Sequence, residues 1–193
     1  FKEGINPNIQ RRKQMNNRLI LVDATLDNRS LEFARAIHSA GEFEWYFGLE
    51  ETPERLAMLK INKKGYYNIL DINGNFIGCV GVRSQDPEPE IELYIIKEYR
   101  RKGYAKEALS VMLTKAFYER FDGAEIQKLV SSVRKENVAS QKLMESCGFE
   151  KNKDIGFCML VFFSEEGDEP ISQPVELVHY YITREMFEKR SNI

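Results

Sequence analysis

Between Glu90 and Phe117 the hydrophobic pattern changes its period within a few residues. In EIELYII, Ile91, Leu93 and Ile95 alternate with Glu90, Glu92 and Tyr94, which is the period of a half-polar strand. From there on Ala105, Ala108, Leu109, Met112, Leu113, Ala116 and Phe117 fall on one face of a helix. A strand that feeds a helix through so short a turn needs strand and helix on one core. The chain is therefore read as α/β.

The flanking segments extend that reading. RLILVDAT (Arg18 to Thr25) reads as a first strand. DNRSLEFARAIHSAG reads as a helix, with Asp27 or Asn28 as N-cap, Leu31, Ala34 and Ile37 on one face, and Gly41 as the stop. ETPERLAMLKIN reads as a second helix, with Thr52 capping and Pro53 in its first turn. YYNILDINGNFIGCVGVR is a hairpin about Asn73-Gly74. QKLVSSVR is a strand, NVASQKLMESCGF a short helix ended by Gly148, and FCMLVFF and VELVHYYI a final strand pair. The acidic connection SEEGDEPISQP between them reads as a long, mobile loop. Together these give a mixed, mostly antiparallel central sheet flanked by helices. Residues 1–17, basic at Arg11 to Lys13, read as an N-terminal arm, and 18–190 as a single domain.

Several function classes drop out. The formal charge of -2 gives no overall basic field for nucleic acid. The longest apolar runs, such as MLVFF, are far shorter than the ~20 residues of a membrane span. The sequence has neither G-x-x-x-x-G-K-[ST] nor G-x-G-x-x-G, so neither a P-loop nor a dinucleotide fingerprint is present. Cys79, Cys147 and Cys158 fit neither a zinc site nor a disulfide framework and read as reduced thiols, which favours the cytoplasm. His38 and His179 read as ordinary surface or packing histidines, and no metal site is expected.

The turn IKEYRRKGYAKE carries the chemistry. The first amides of a helix have no partner within it, and the dipole makes that end positive. Gly103 lets a ligand approach the backbone, Ala105 keeps the next position small, and Arg100, Arg101 and Lys102 offer salt bridges. Such a place suits a phosphate or diphosphate. Taken alone, the turn reads equally as a solvated basic turn before an ordinary helix.

The spacing Arg100-x-x-Gly103-x-Ala105 after a strand resembles the acyl-CoA-binding motif of the GNAT N-acetyltransferase superfamily, Q/R-x-x-G-x-G/A. Downstream, Asn137, Ser140 and the pair Gly148-Phe149 resemble its second motif, N-x-x-[AS] followed by G-F. The strong resemblance covers Glu90 to Phe149, and a weaker one runs from Leu19 to about Phe187. The ending YYITREMFEK and the serine at position 140 are similar to the branch of ribosomal-protein N-terminal and polyamine acetyltransferases. The resemblance implies the GNAT acyl-CoA fold, acetyl-CoA as co-substrate, and a monomer or homodimer. It also implies that the strand before the motif splays from its neighbour. Backbone groups of Tyr94, Ile95 and Ile96 would meet the pantetheine arm. Amides from Arg101 through Lys102, Gly103, Tyr104 and Ala105 to Lys106 would hold the diphosphate, and Asn137 would bind the arm from across the cleft.

The implied reaction is direct transfer of the acetyl group to a primary amine: a protein N-terminus, a polyamine or another small cationic amine. A carboxylate, through water, would take the amine's proton. Glu92 is the first candidate and Glu90 the second; each reads otherwise as an exposed strand carboxylate. An amide near Ile95 would stabilise the thioester oxygen. Many members of the superfamily carry a tyrosine seven places after the asparagine as the acid for the thiolate; Met144 stands here. Ser140 then orients the sulfur, with Tyr94, Tyr180 and Tyr181 as unplaced alternatives. An acidic, aromatic-edged mouth is expected from Glu42, Glu44, Trp45, Tyr46, Phe47, Glu50, Glu51, Glu165, Glu166, Asp168 and Glu169, with Asp86 and Glu88 nearby. The alternative is a GNAT-fold protein that binds acyl-CoA as a sensor without turnover.

Overall fold

The computed structural model describes residues 18–24, 65–83, 88–119, 124–163 and 170–191, with the single helical positions 31, 35 and 39. Among these residues the strands are β1 (Leu19–Asp23), β2 (Tyr66–Asp71), β3 (Phe76–Arg83), β4 (Glu90–Ile95), β5 (Lys128–Arg134), β6 (Glu150–Phe163) and β7 (Pro170–Thr183). The helices are α1 (Tyr104–Tyr118), α2 (Val138–Cys147) and α3 (Arg184–Ser191), and a 3₁₀ turn spans Lys97–Tyr99. One sheet runs in the order β1-β2-β3-β4-β5-β7-β6. Every neighbouring pair is antiparallel except β4 and β5. The expected mixed, mostly antiparallel sheet is therefore present.

The β2–β3 turn forms where Asn73-Gly74 predicts it. Asp71 holds it through bonds from the Asn73 and Asn75 amides, 2.9 Å each, and from Asn75 Nδ2 at 2.9 Å. The apolar stripe of α1 packs as its spacing requires: Ala108, Leu109, Met112, Leu113, Ala116 and Phe117 are buried. They share one core with Val80, Val82, Ile91, Leu129 and Ile182 of the sheet. Burying one such side chain is worth about 1.5–3 kcal/mol, so this helix is fixed to the sheet by its own face. Ala105, at the end of the stripe, is only partly buried and lines a cleft instead. α3 joins through Phe187, whose ring centroid lies 5.4 Å from that of Phe117.

Two boundaries differ from expectation. β6 starts directly after Phe149, seven residues before FCMLVFF, because β7 continues to supply partners from Tyr181 back to Pro170. The acidic connection is correspondingly shorter: Pro170 to Pro174 belong to β7. β5 pairs β7 only between Leu177 and Thr183. Both prolines thus sit where β7 has a ladder partner on one side alone, which a residue without an N–H tolerates.

Candidate functional site

β4 and β5 run parallel but share one ladder pair, Glu90 with Val130, fixed by the bond from the Val130 amide to the Pro89 carbonyl at 3.0 Å. Beyond it the strands part. The Glu90 side chain spans the start of the gap, its Oε1 accepting from the Ser132 amide at 3.0 Å, while its Oε2 is bound by Arg83. On its other edge β4 stays paired with β3 as far as Ile96, whose amide donates to the Ile77 carbonyl at 3.0 Å. Alternate residues of such a strand direct both backbone groups to one neighbour. Tyr94 and Ile96 therefore face β3, and Leu93 and Ile95 face the gap. Of the three residues expected to offer backbone groups, Ile95 is the one turned to the opening, and Leu93 joins it.

The chain then turns into α1. Arg101 has φ 59° and Gly103 φ 86°, both left-handed. A side chain other than glycine's is strained at Gly103, and its Cβ would lie 3.1 Å from Arg18 Nη2. Gly103 caps α1 without a side-chain bond, and the first intrahelical bond is that of the Glu107 amide to the Gly103 carbonyl at 3.2 Å. The amides of the first turn are left for a ligand or water. Arg18, which sequence reading did not single out, fixes this turn from 89 positions away. Its backbone amide and Nε bind the Glu107 carboxylate at 2.7 and 3.1 Å, its Nη1 binds the Lys102 carbonyl at 3.1 Å, and its guanidinium lies 4.8 Å from the Tyr104 ring centre.

The opposite wall is the start of α2. Asn137 caps it, Oδ1 accepting from the Ser140 amide at 3.1 Å. That oxygen is used by the helix, so the group left for a ligand is Nδ2. Between the walls lies a cleft of about 760 Å³. It is lined by Leu93, Tyr94, Ile95, Tyr99, Arg100, Arg101, Gly103, Ala105 and Lys106 on one side and Glu136 to Ser140 with Leu143 on the other. Ile96, Lys102 and Tyr104, named from sequence with these, do not line it. Lys102 Nζ sits 5.4 Å from the Tyr99 ring centre. Arg100 lines the cleft while its Nε donates to the Ile95 carbonyl at 2.8 Å.

Glu92 and Glu90 lie on one face of the sheet, outside this lining. Register places Tyr66, Gly81 and Glu92 in a row across β2, β3 and β4, with Arg83 and Glu90 in the next. Tyr66 Oη donates to Glu92 Oε2 at 2.9 Å, and Arg83 Nε lies 3.6 Å from Glu92 Oε1. Burial, and then the Glu92 charge, push the Tyr66 phenol far above its ordinary range, so it stays a donor. Of the tyrosines, Tyr180 is buried with its hydroxyl on Glu145 at 3.2 Å, and Tyr181 donates to Glu150 at 2.8 Å. Met144 is buried in the core. Glu88 pairs with Lys128 at 2.6 Å. The other residues of the expected acidic mouth lie outside the described residues. Among the described residues no group of three His, Cys, Asp or Glu side chains could hold a metal, and no helix is long and apolar enough to cross a membrane.

Comparison with known proteins bears on this cleft. A family model described as an acetyltransferase (GNAT) domain matches residues 18–150. No curated protein sequence matches the chain. Among solved structures, a GNAT-family acetyltransferase from Bacillus anthracis superposes with TM-score 0.64 at 20% identity, covering 87% of this chain and 96% of that one. Spermidine N-acetyltransferase from Vibrio cholerae, solved with CoA and spermine, gives 0.66 at 21% identity, covering 90% and 99%. An N152L mutant of the same Vibrio enzyme gives 0.64 at 22%, covering 91% and 99%.

Proposed function

Since this chain belongs to the acetyltransferase (GNAT) family, we propose that it transfers acetyl from acetyl-CoA to the primary amine of a cationic acceptor, with the cleft between β4 and β5 as the coenzyme site. One observation carries the proposal. The parted strands and the uncapped start of α1 open onto the same cleft, so unpaired backbone donors and acceptors meet a positive helix end. A ligand with an amide-bearing arm and a diphosphate complements both. The first-turn amides at Ala105 and Lys106, with Arg101, would hold the diphosphate. Leu93, and Ile95 through its amide, since its carbonyl is held by Arg100 Nε, would pair with the arm on one side and Asn137 Nδ2 on the other. Ser140 Oγ, without a hydrogen-bond partner among the described residues, would orient the sulfur.

Transfer forms a C–N bond and breaks the C–S bond, and the amine must first shed a proton. Glu92 suits that task better than Glu90. Glu90 Oε1 closes the β4–β5 junction by accepting from the Ser132 amide, and its Oε2 is bound by Arg83 of β3, so protonating it would loosen the sheet. The acceptor class follows the same chemistry. The Vibrio enzyme is a spermidine acetyltransferase, and a protein N-terminus or another small cationic amine shares the reacting group. Cys79 and Cys147 are free thiols, in keeping with a reducing compartment such as the cytoplasm.

Calorimetry with CoA, followed by a thiol-release assay over peptides, polyamines and aminoglycoside-like amines, tests this. Micromolar binding and product on a cationic amine are expected. CoA binding with no product on any amine would instead mark a sensor. Gly103→Val should cut CoA affinity at least about tenfold while costing roughly 1–3 kcal/mol of stability from strain. Unchanged affinity in the folded variant would overturn the diphosphate assignment.

A further inference from the structure

The reading of Glu92 as the group that takes the amine's proton leaves open what aims it. A carboxylate on a strand has free rotation about its last bonds, and a base works only when one oxygen points at the proton. Here the oxygens are distinguished. Oε2 receives the Tyr66 hydroxyl at 2.9 Å across two strands, and Oε1 faces Arg83 Nε at 3.6 Å. The Tyr66 ring reaches Glu92 because Gly81 stands between them. A Cβ on Gly81 would come within 2.4 Å of the ring's Cδ1. Tyrosine, glycine and glutamate thus form a unit on three adjacent strands, 15 and 11 positions apart in sequence, with the ring lying over the missing side chain.

We propose that Tyr66 is a positioning residue for acetyl transfer, fixing the orientation of the Glu92 carboxylate through the bond from its hydroxyl to Oε2. This rests on the reading of Glu92 given above. Tyr66 does not itself give up its proton; burial and the neighbouring charge keep the phenol protonated. Arg83 bridges Glu92 to Glu90 and keeps the pair of carboxylates from repelling one another. Register places Tyr66 of β2, Cys79 and Arg83 of β3, and Glu90 and Tyr94 of β4 among the titratable and charged groups on the face of the sheet that carries Glu92.

The test compares Tyr66→Phe, Glu92→Gln and Gly81→Ala with the parent chain. It uses acetyl-CoA and whichever amine of the panel is acetylated fastest, with kcat, KM and the pH profile of kcat/KM recorded. Tyr66→Phe keeps the ring over Gly81, so melting should be nearly unchanged. Its kcat should fall roughly tenfold to a hundredfold, the scale of a lost bond to a charged group, while KM for acetyl-CoA holds. A donor to the ionised carboxylate favours that form, so losing it should move the acid limb of the profile to higher pH. Gly81→Ala displaces the ring with its hydroxyl intact and should give the same kinetic pattern. Glu92→Gln should be slower still. Parent-like kcat and profile in Tyr66→Phe, with Glu92→Gln impaired, would overturn the inference and leave Glu92 as the base. Full activity in Glu92→Gln, or no acetylated amine at all, would remove the underlying reading and this inference with it.

Discussion

Gly156 illustrates how a single atom can be decided by a partner far along the chain. A Cβ there would fall 1.7 Å from His179 Nε2, so the β6 backbone passes directly under the imidazole. The histidine is held on its other side by Ser132 Oγ at 3.1 Å from Nδ1. Gly156→Ala must push that ring away, and overpacking of this kind costs about 1–3 kcal/mol. In the double variant with His179→Ala the alanine should cost less than half as much, and a denaturant-melt cycle measures the difference. Equal costs in both backgrounds would show that the clash is relieved elsewhere. None of this was legible in sequence. His179 read as an ordinary surface or packing histidine, and nothing in the order of residues pairs it with a glycine on the adjacent strand. Tyr66 and Arg83 escaped for the same reason: their relation to Glu92 exists only through strand register. Glu92 itself was legible, because alternation along EIELYII assigns its face without any partner.

At the scale of elements, local signals succeeded where the chemistry is local. Asn73-Gly74 specified the turn, the spacing of seven apolar residues specified α1, and Asn137 before VASQ specified the start of α2. α3 was missed, since REMFEKRS has little periodicity of its own and is secured by Phe187 on Phe117. Asn137 caps α2 and, under the proposed function, also offers Nδ2 to the coenzyme, two roles that substitutions can separate. Asn137→Asp retains an oxygen for the Ser140 amide but lacks the Nδ2 donor. It should keep its melting temperature and lose CoA affinity. Asn137→Ala loses the cap as well, at a cost of about 1 kcal/mol. Thermal melts beside calorimetry read the two effects, and equal CoA affinity in both variants and the parent would deny the side chain a part in binding. The β2–β3 turn gives a pH dependence. Asn75's side-chain amide, then the backbone amides of Asn75, Asn73 and Gly74, outweigh burial and hold Asp71 below the ordinary carboxylate range. A depressed folded value means stability that is complete above the unfolded value, near pH 4, and lost as pH falls through the folded one. Asp71→Asn should therefore be less stable than the parent at pH 7, and the gap should close toward pH 2. A gap independent of pH would assign the effect to shape instead of charge.

For the whole molecule, the decisive feature is a sheet whose two halves hardly touch in the middle. β1 to β4 form one antiparallel ladder and β5, β7 and β6 another. They are joined by one parallel pair, by the Glu90 carboxylate and by the core under α1. That the strands would part here was an expectation from resemblance; no hydropathy pattern encodes a missing ladder. The site's outline was legible because both of its walls begin helices, and helix starts have sequence signatures. Its bracing was not, because Arg18 and Glu107 meet only in the fold. A ligand that spans the gap should act on both halves at once. CoA at a hundred times its dissociation constant should add about 2.7 kcal/mol, or roughly 5–10 °C in melting temperature for a chain of this size. Amide exchange should slow most at Leu93 and Ile95 and through the first turns of α1 and α2, because those groups gain a partner. The β2–β3 amides, already paired on both sides, should change only by the global stabilisation. Removing the CoA by gel filtration should restore the original exchange. Protection confined to the β6–β7 pair, with Leu93 and Ile95 unaltered, would place the coenzyme elsewhere and leave the gap unexplained.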